Sequence, residues 1–247
     1  MCGIFGYIGS RQALPLLIEG LRKLEYRGYD SAGISVIEKG KLLIQKKVGK
    51  ITELESILGE NHSAATMGIA HTRWATHGAP STQNSHPHSD CKNEIALVHN
   101  GIIENYQSLK KKLEGEGHKF KSATDTEVLV HLVESHYQGT LEEAVRASLE
   151  DIVGSYAIAV ISKKEPEKIV VARKGSPLII GIGDEEEHFV ASDIPALLKY
   201  TSKVVTLGDG EIGVLNHKAI RIETMSGKPV RRKPQLVSWD PVSAEKG

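Results

Sequence analysis

The sequence predicts an α+β fold, antiparallel sheet with helices packed on its faces, and three observations carry that expectation. Short apolar runs of strand character outnumber helical stripes, several connections are short, and the runs at 178–182 and 188–191 are joined only by an acidic loop, as in a hairpin. A regular alternation of strand and helix does not describe such a chain.

In chain order, strands are expected at 4–8, 32–37, 42–45, 68–72, 95–98, 156–161, 169–172, 178–182, 188–191, 204–207, 212–215 and 219–222. Most are four to six residues long and bounded by Gly, Asp or Lys pairs, the punctuation that stops a strand. Helical spacing sets Leu14, Leu17, Ile18, Leu21 and Leu24 on one face of a first helix, which ends before Arg27 and Gly28. Ile102, Tyr106, Leu109 and Leu113 mark a second helix. Val128, Leu129, Leu132, Val133 and His136 mark a third, opened by Thr124-Asp125-Thr126-Glu127 in the pattern of a capping box. A fourth is expected over 141–152. Beyond residue 227 the chain changes character, with three prolines, the basic cluster Arg231-Arg232-Lys233 and no periodicity. A domain over 1–227 and a solvated linker over 228–247 follow.

Composition narrows the function classes. The chain has 247 residues, enough for one or two domains and a sizeable core. Its 31 Lys+Arg cancel 31 Asp+Glu, which argues against a nucleic-acid binder and against an acidic tail. No run approaches the ~20 apolar residues that span a bilayer, and the start lacks the basic region of a signal peptide. Two cysteines are too few for a disulfide scaffold, so a cytoplasmic protein with reduced thiols is expected. With 24 glycines, many tight turns or close backbone approaches to a ligand are implied.

Four places carry chemistry. Cys2 follows the initiator Met, and removal of Met1 would put an α-amine and a thiol on one residue. An amine that titrates near ~7.7–8.0 can take the proton of its own side chain. The short strand at 4–8 would anchor this terminus; the plain alternative is an apolar residue that happens to be second. Arg73 and Trp74 lie at a strand end, where the guanidinium could grip a carboxylate in two bonds and the indole could cover a site. An exposed Arg and a packed Trp is the alternative. His99-Asn100-Gly101 falls between an expected strand and helix and offers an amide side chain and a backbone N–H, the donors of an oxyanion hole. Asp125 at a helix start either meets the helix dipole or holds an ammonium group. His71, His77, His86, His88, His99 and Cys91 invite a metal site, but neither C-x₂-C nor H-E-x-x-H spacing is present, and no metal is expected.

These residues carry a resemblance. The run Cys2-Gly3-Ile4-Phe5-Gly6 resembles the start of the class II, N-terminal-nucleophile glutamine amidotransferases. LEYRGYDSAGI at 24–34, IAHTRWATHG at 69–78, VHNGIIEN at 98–105 and TDTEV at 124–128 are similar to the glucosamine-6-phosphate synthase branch. GSPLIIG at 175–181 and ASD at 191–193 extend the likeness. The resemblance implies a four-layer αββα sandwich, two antiparallel sheets between helix layers. It implies Cys2 as nucleophile with its own α-amine as base, and Asn100 with the Gly101 N–H as oxyanion hole. Arg73 and Asp125 would hold the two charged ends of L-glutamine, Thr76 and His77 would line its pocket, Trp74 would gate ammonia, and Arg27 and Gly28 would sit beside the nucleophile. No cofactor is implied. The branch continues into sugar-isomerase modules, which this sequence lacks, so a glutaminase half ending inside a linker is expected, its oligomeric state open. Three rivals remain at this point: an amino-acid-binding module without a nucleophile, a metal-bound hydrolase using the histidine group, and an amidotransferase with another acceptor.

Overall fold

The computed structural model describes residues 2–58, 63–75 and 78–238. From the N-terminus, β1 (Gly3–Ile8) leads through α1 (Ala13–Arg22) to β2 (Ser31–Glu38) and β3 (Lys41–Val48), then to α2 (Ile51–Leu58) and β4 (Met67–Arg73). The two-residue β5 (His88–Ser89) precedes a long β6 (Ile95–Ile103). Three helices follow, α3 (Tyr106–Gly115), α4 (Thr126–His136) and α5 (Leu141–Glu150). The rest is mostly strand: β7 (Gly154–Ser162), β8 (Ile169–Lys174), β9 (Ile179–Ile182), β10 (His188–Ala191), β11 (Lys203–Thr206), β12 (Glu211–Leu215), β13 (Ile220–Thr224) and β14 (Gln235–Leu236).

The strands form two antiparallel sheets, one of eight strands ordered β14-β11-β9-β10-β1-β4-β2-β3 and one of six ordered β13-β12-β8-β7-β6-β5. Side chains alternate between the faces of a strand, and here both faces are apolar. Phe5 and Tyr7 of β1 pack with Leu17 and Leu21 of α1 and Leu54 of α2. Ile4 and Ile8 of the same strand meet Ala96 and Val98 of β6 and Ala157, Ala159 and Ile161 of β7 between the sheets. On the far side, Ile158 and Val160 pack against Leu129, Leu132 and Val133 of α4 and Val145 of α5. Three apolar layers separate four structural ones, helix, sheet, sheet, helix. Burial of each Leu, Ile, Val or Phe among them stabilises by about 1.5–3 kcal/mol.

The structure departs from the sequence reading in places, each for a local reason. The strand expected at 95–98 runs on to Ile103, because β7 keeps pairing with it as far as Gly154. Asn100 and Gly101 therefore lie inside a strand, the helix starts only at Tyr106, and Ile102 faces solvent. Helix α2 is an addition to the expected elements; its Ile51, Leu54 and Leu58 are buried, and Glu25 Oε1 accepts from the Ile51 N–H at 3.0 Å, a cap from a distant part of the chain. At α4 only half a capping box forms. Thr124 Oγ1 accepts from the Glu127 N–H at 3.4 Å, while the Glu127 carboxylate turns to the N–H groups of Lys121 and Ser122. From Lys228 to residue 238 the chain stays largely exposed while touching the sandwich: Arg232 pairs with Glu211, β14 extends the eight-stranded sheet, and the Val237 N–H donates to Ser202 O at 2.8 Å.

Candidate active site

The inner rows of three strands turn from aliphatic to polar at one end of the inter-sheet layer. Alternation continues Ile8 and Ile4 of β1 to Cys2, Met67 and Ile69 of β4 to His71 and Arg73, and Ala96 and Val98 of β6 to Asn100. Gly3 is paired with Thr72 and Ser31 with Arg73, so the residue before β1 emerges beside the end of β4. A cavity of about 320 Å³ opens there, lined by Cys2, Arg73, Trp74, Asn100, Gly101 and Asp125 among others. It suits a small ligand, at the lower end of the ~300–1,000 Å³ common for such sites. A wider groove of about 1030 Å³ lies at Glu142, Glu165, Lys168 and Arg221, but these four are paired with one another and no cysteine lines it.

The thiol is held through the backbone of the neighbouring strand end. Cys2 Sγ accepts from the Trp74 N–H at 3.2 Å and lies 3.5 Å from Trp74 O. Burial raises its pKa, opposed by the Trp74 N–H and by the nearby charges of Arg73 and Arg27, so the thiol is protonated at neutral pH. Any attack by this sulfur requires a base at the moment of reaction.

The carbonyl of Cys2 is fixed from two sides, by Arg27 Nε at 3.2 Å and Asn100 Nδ2 at 3.1 Å. Arg27 is in turn held by Asp193, 2.7 Å away. Arg27 thus positions the Cys2 backbone and does not line the cavity. Gly28 lets the chain pass close behind: a Cβ there would lie 2.7 Å from Arg73 C and 2.9 Å from Trp74 N. Gly101 adopts φ +136°, and a Cβ on it would meet Ser155 O at 2.1 Å, so no other residue fits beside Asn100.

Asn100 is oriented by His71, to which the sequence analysis gives no role of its own. His71 Nε2 lies 3.0 Å from Asn100 Oδ1 and 3.1 Å from His99 O; both are acceptors, which puts the proton on Nε2. That bond fixes the amide with its NH₂ towards Cys2. Complete burial pushes the His71 pKa down to about 3, so the ring is a neutral donor. Its place two residues before Arg73 on the same face was the available signal. His99 is fixed likewise, between Thr126 Oγ1 at 2.9 Å and Ser155 O at 3.4 Å. His86 packs against His71 with ring centroids 4.2 Å apart, His88 meets His86 edge-on at 4.9 Å, and burial lowers the pKa of both His86 and His88. These rings hold one another and the backbone; they do not converge on a point as ligands would. Cys91 stands apart from them.

Arg73 and Asp125 supply opposite charges at the cavity. Arg73 is only 4% exposed; its Nη2 donates to Gly78 O at 3.2 Å, and burial lowers its pKa against the attraction of Cys2, Asp125 and Asp30. Asp125 stands at the start of α4 without capping it, and its Oδ2 accepts from the Ile103 N–H at 2.8 Å. Trp74 is half-exposed at the mouth, edge-on to Tyr29 at 5.4 Å. Asp30 Oδ2 accepts from the Ala75 N–H at 2.7 Å and ties down the turn after Trp74. Thr76 and His77 lie outside the described residues.

The profile of a family described as a glutamine amidotransferase domain matches residues 71–199. Along its whole length the chain is 52% identical to the glutamine--fructose-6-phosphate aminotransferase [isomerizing] of Aquifex aeolicus and 50% identical to that of Thermus thermophilus, covering 42% and 41% of those proteins. It therefore spans about two fifths of the length of these curated relatives. Among solved structures it is similar to glutamine phosphoribosylpyrophosphate amidotransferase from B. subtilis complexed with ADP and GMP, with a TM-score of 0.80 and 30% identity over 93% of this chain and 50% of that one. A glutamine aminotransferase class-II domain protein from Silicibacter pomeroyi shares the fold alone, with a TM-score of 0.61 and 13% identity over 90% of this chain and 99% of that one.

Proposed function

We infer the chemistry of this chain from one premise: it belongs to the family of glutamine amidotransferase domains. The chain hydrolyses L-glutamine to L-glutamate and ammonia through a thioester on Cys2. The observation that carries this reading is the meeting, in one cavity, of a fixed thiol, an oriented carboxamide donor and two opposite charges, Arg73 and Asp125.

With Met1 removed, the α-amine of Cys2 takes the thiol proton as the sulfur attacks the side-chain carbonyl carbon of glutamine. The oxyanion is met by Asn100 Nδ2 and the Gly101 N–H. The C–N bond breaks, the amine's proton passes to the leaving nitrogen and ammonia departs. Water then attacks the thioester and gives its proton to the same amine, and the sulfur leaves with a proton restored to it. Arg73 holds the α-carboxylate of the substrate and Asp125 its α-ammonium, which sets the side-chain amide at the sulfur. Arg27, Gly28 and His71 keep Cys2 and Asn100 in register. Trp74 covers the mouth and gates the ammonia. No step needs a cofactor.

In the longer proteins that share this unit, the released ammonia would aminate fructose 6-phosphate to glucosamine 6-phosphate in sugar-isomerase domains. That reading rests on the resemblance to the fructose-6-phosphate aminotransferases and is tested by assaying a chain of the relatives' full length for glucosamine 6-phosphate. The cytoplasm is the compartment that two unpaired thiols suit; no described helix is long and apolar enough to cross a membrane. The decisive assay compares the trimmed chain with Cys2→Ala. Glutamate and ammonia release by the first and not the second is expected. Binding of glutamine without release by either would leave an amino-acid-binding module instead.

A further inference from the structure

Away from the cavity, four side chains with lone pairs converge on one point. Cys91 follows β5, His118 follows α3, and His131 and Glu134 lie one turn apart on α4. Their ligating atoms all lie within 4.8 Å of one another. Cys91 Sγ is 3.7 Å from His118 Nδ1 and 3.6 Å from His131 Nδ1, and the two Nδ1 atoms are 3.3 Å apart. Glu134 Oε2 is 3.1 Å from His118 Nδ1 and 3.2 Å from His131 Nδ1.

From these distances we propose that Cys91, His118, His131 and Glu134 bind one zinc ion in a tetrahedral site that clamps α4 to the turn after β5 and the segment after α3. Bonds of ~2.0–2.1 Å to nitrogen and ~2.3 Å to sulfur imply tetrahedral edges of about 3.3 Å between nitrogens and about 3.6 Å between nitrogen and sulfur. The measured edges match. Thiolate and carboxylate together cancel the charge of a divalent ion, so the occupied site is neutral in its half-buried position. Four protein ligands leave no open position, as a structural site requires and a catalytic one does not.

The surroundings serve the ligands as well. The Lys119 N–H points at Cys91 Sγ at 3.5 Å, and the Cys91 N–H donates to Glu134 Oε2 at 3.1 Å. His131 Nε2 is buried without a hydrogen-bond partner and lies 3.8 Å from Glu127 Oε1. With Nδ1 on the metal, the ring proton sits on Nε2 and faces that carboxylate, the usual arrangement behind a metal-bound histidine. Phe120 packs edge-on to the His131 ring at 4.6 Å and shields it, while exposed Cys91 leaves a way in for the ion. The opposite end of α4 carries Asp125 and Thr126, which line the cavity. From the sequence alone, Cys91 groups with other histidines and no metal is expected. The local signal was only His131 and Glu134 at helical spacing, and the other two ligands come from separate turns.

The test is a titration of the reduced, untagged chain with Co²⁺, followed by visible spectroscopy and displacement with Zn²⁺. One Co²⁺ per chain is expected, with tetrahedral d–d bands and a thiolate charge-transfer band that Zn²⁺ removes. The spectrum persists in Cys2→Ala, loses its charge-transfer band in Cys91→Ser and weakens in Glu134→Gln. Affinity in Cys91→Ser falls by about 10²-fold or more, since even an outer partner of a ligand is worth ~10–100-fold. In the parent chain, the thermal midpoint rises with Zn²⁺ occupancy, a readout that depends on no variant. No stoichiometric uptake, a spectrum unchanged by Cys91→Ser or one lost with Cys2 would overturn the site. Glutamine hydrolysis is scored separately, so the two readings fail independently.

Discussion

Cys2 and Cys91 are the two thiols of the chain, and they differ in what surrounds them. Around Cys2 the neighbours are donors and cations: the Trp74 N–H on its sulfur, Arg27 and Asn100 on its carbonyl, Arg73 close by. Around Cys91 stand two imidazole nitrogens and a carboxylate, all able to give a lone pair. The first setting favours negative charge developing on sulfur and on an attacked carbonyl. The second favours a cation between the groups. The histidines divide in the same way. Those near Cys2 are spent on hydrogen bonds to Asn100, Thr126, Thr124 and the backbone, whereas His118 and His131 turn their Nδ1 atoms to each other. A thiol takes its role from the company it keeps, and the same two residue types, Cys and His, serve both ends of α4.

Substitutions sharpen that contrast in order of size. Cys2→Ala is expected to lower glutamine turnover on the order of 10⁴-fold or more, the scale of losing a covalent nucleophile, while Cys91→Ser leaves turnover as in the parent; steady-state ammonia release measures both. Equal losses would erase the distinction. Retaining Met1 blocks the amine that accepts the Cys2 proton and should abolish turnover with glutamine still bound, as seen by pairing the assay with calorimetry. Asn100→Ala removes one oxyanion donor and should cost ~10²–10³ in kcat with little change in KM. Arg73→Lys keeps the charge but loses the two-bond grip, and should raise KM by roughly 10–100-fold with a smaller change in kcat.

A last effect concerns stability, not turnover. His71, His86 and His99 are buried and their pKa values are lowered by burial, that of His71 to about 3. An unfolded histidine takes up a proton near pH ~6.5, and the folded ones do not. Stability is therefore complete above that pH and falls as the pH drops below about 6.5, by up to about 1.4 kcal/mol per pH unit for a ring that stays unprotonated in the fold; for His71 the fall continues to about pH 3. Denaturant unfolding at a series of pH values measures the slope. A flat profile between pH 6.5 and 4.5 would mean that these rings ionise in place.

Much of this was legible because it is periodic or local. The twelve apolar runs each fall on an observed strand, and the hairpin from 178 to 191 is β9 pairing with β10. Cys2, Arg73, Asn100, Gly101 and Asp125 all reach one cavity. What escaped depends on partners far along the chain. Helix α2 is short and takes its cap from Glu25, and the length of β6 is decided by β7. The two-residue strands β5 and β14 exist only through their neighbours. His71 matters through Asn100, and the cluster at Cys91 needs three separate segments brought together by the fold.

The claim on which the rest stands is that Cys2, and not the other thiol, forms the acyl bond with the substrate. Treating the trimmed chain with a glutamine analogue that carries an electrophile at the side-chain carbonyl, then mapping the adduct by peptide mass spectrometry while following ammonia release, tests it. One adduct per chain is expected, on Cys2, accumulating in step with loss of activity and slowed by L-glutamine. An adduct on Cys91, or full labelling of Cys2 with turnover intact, would contradict it.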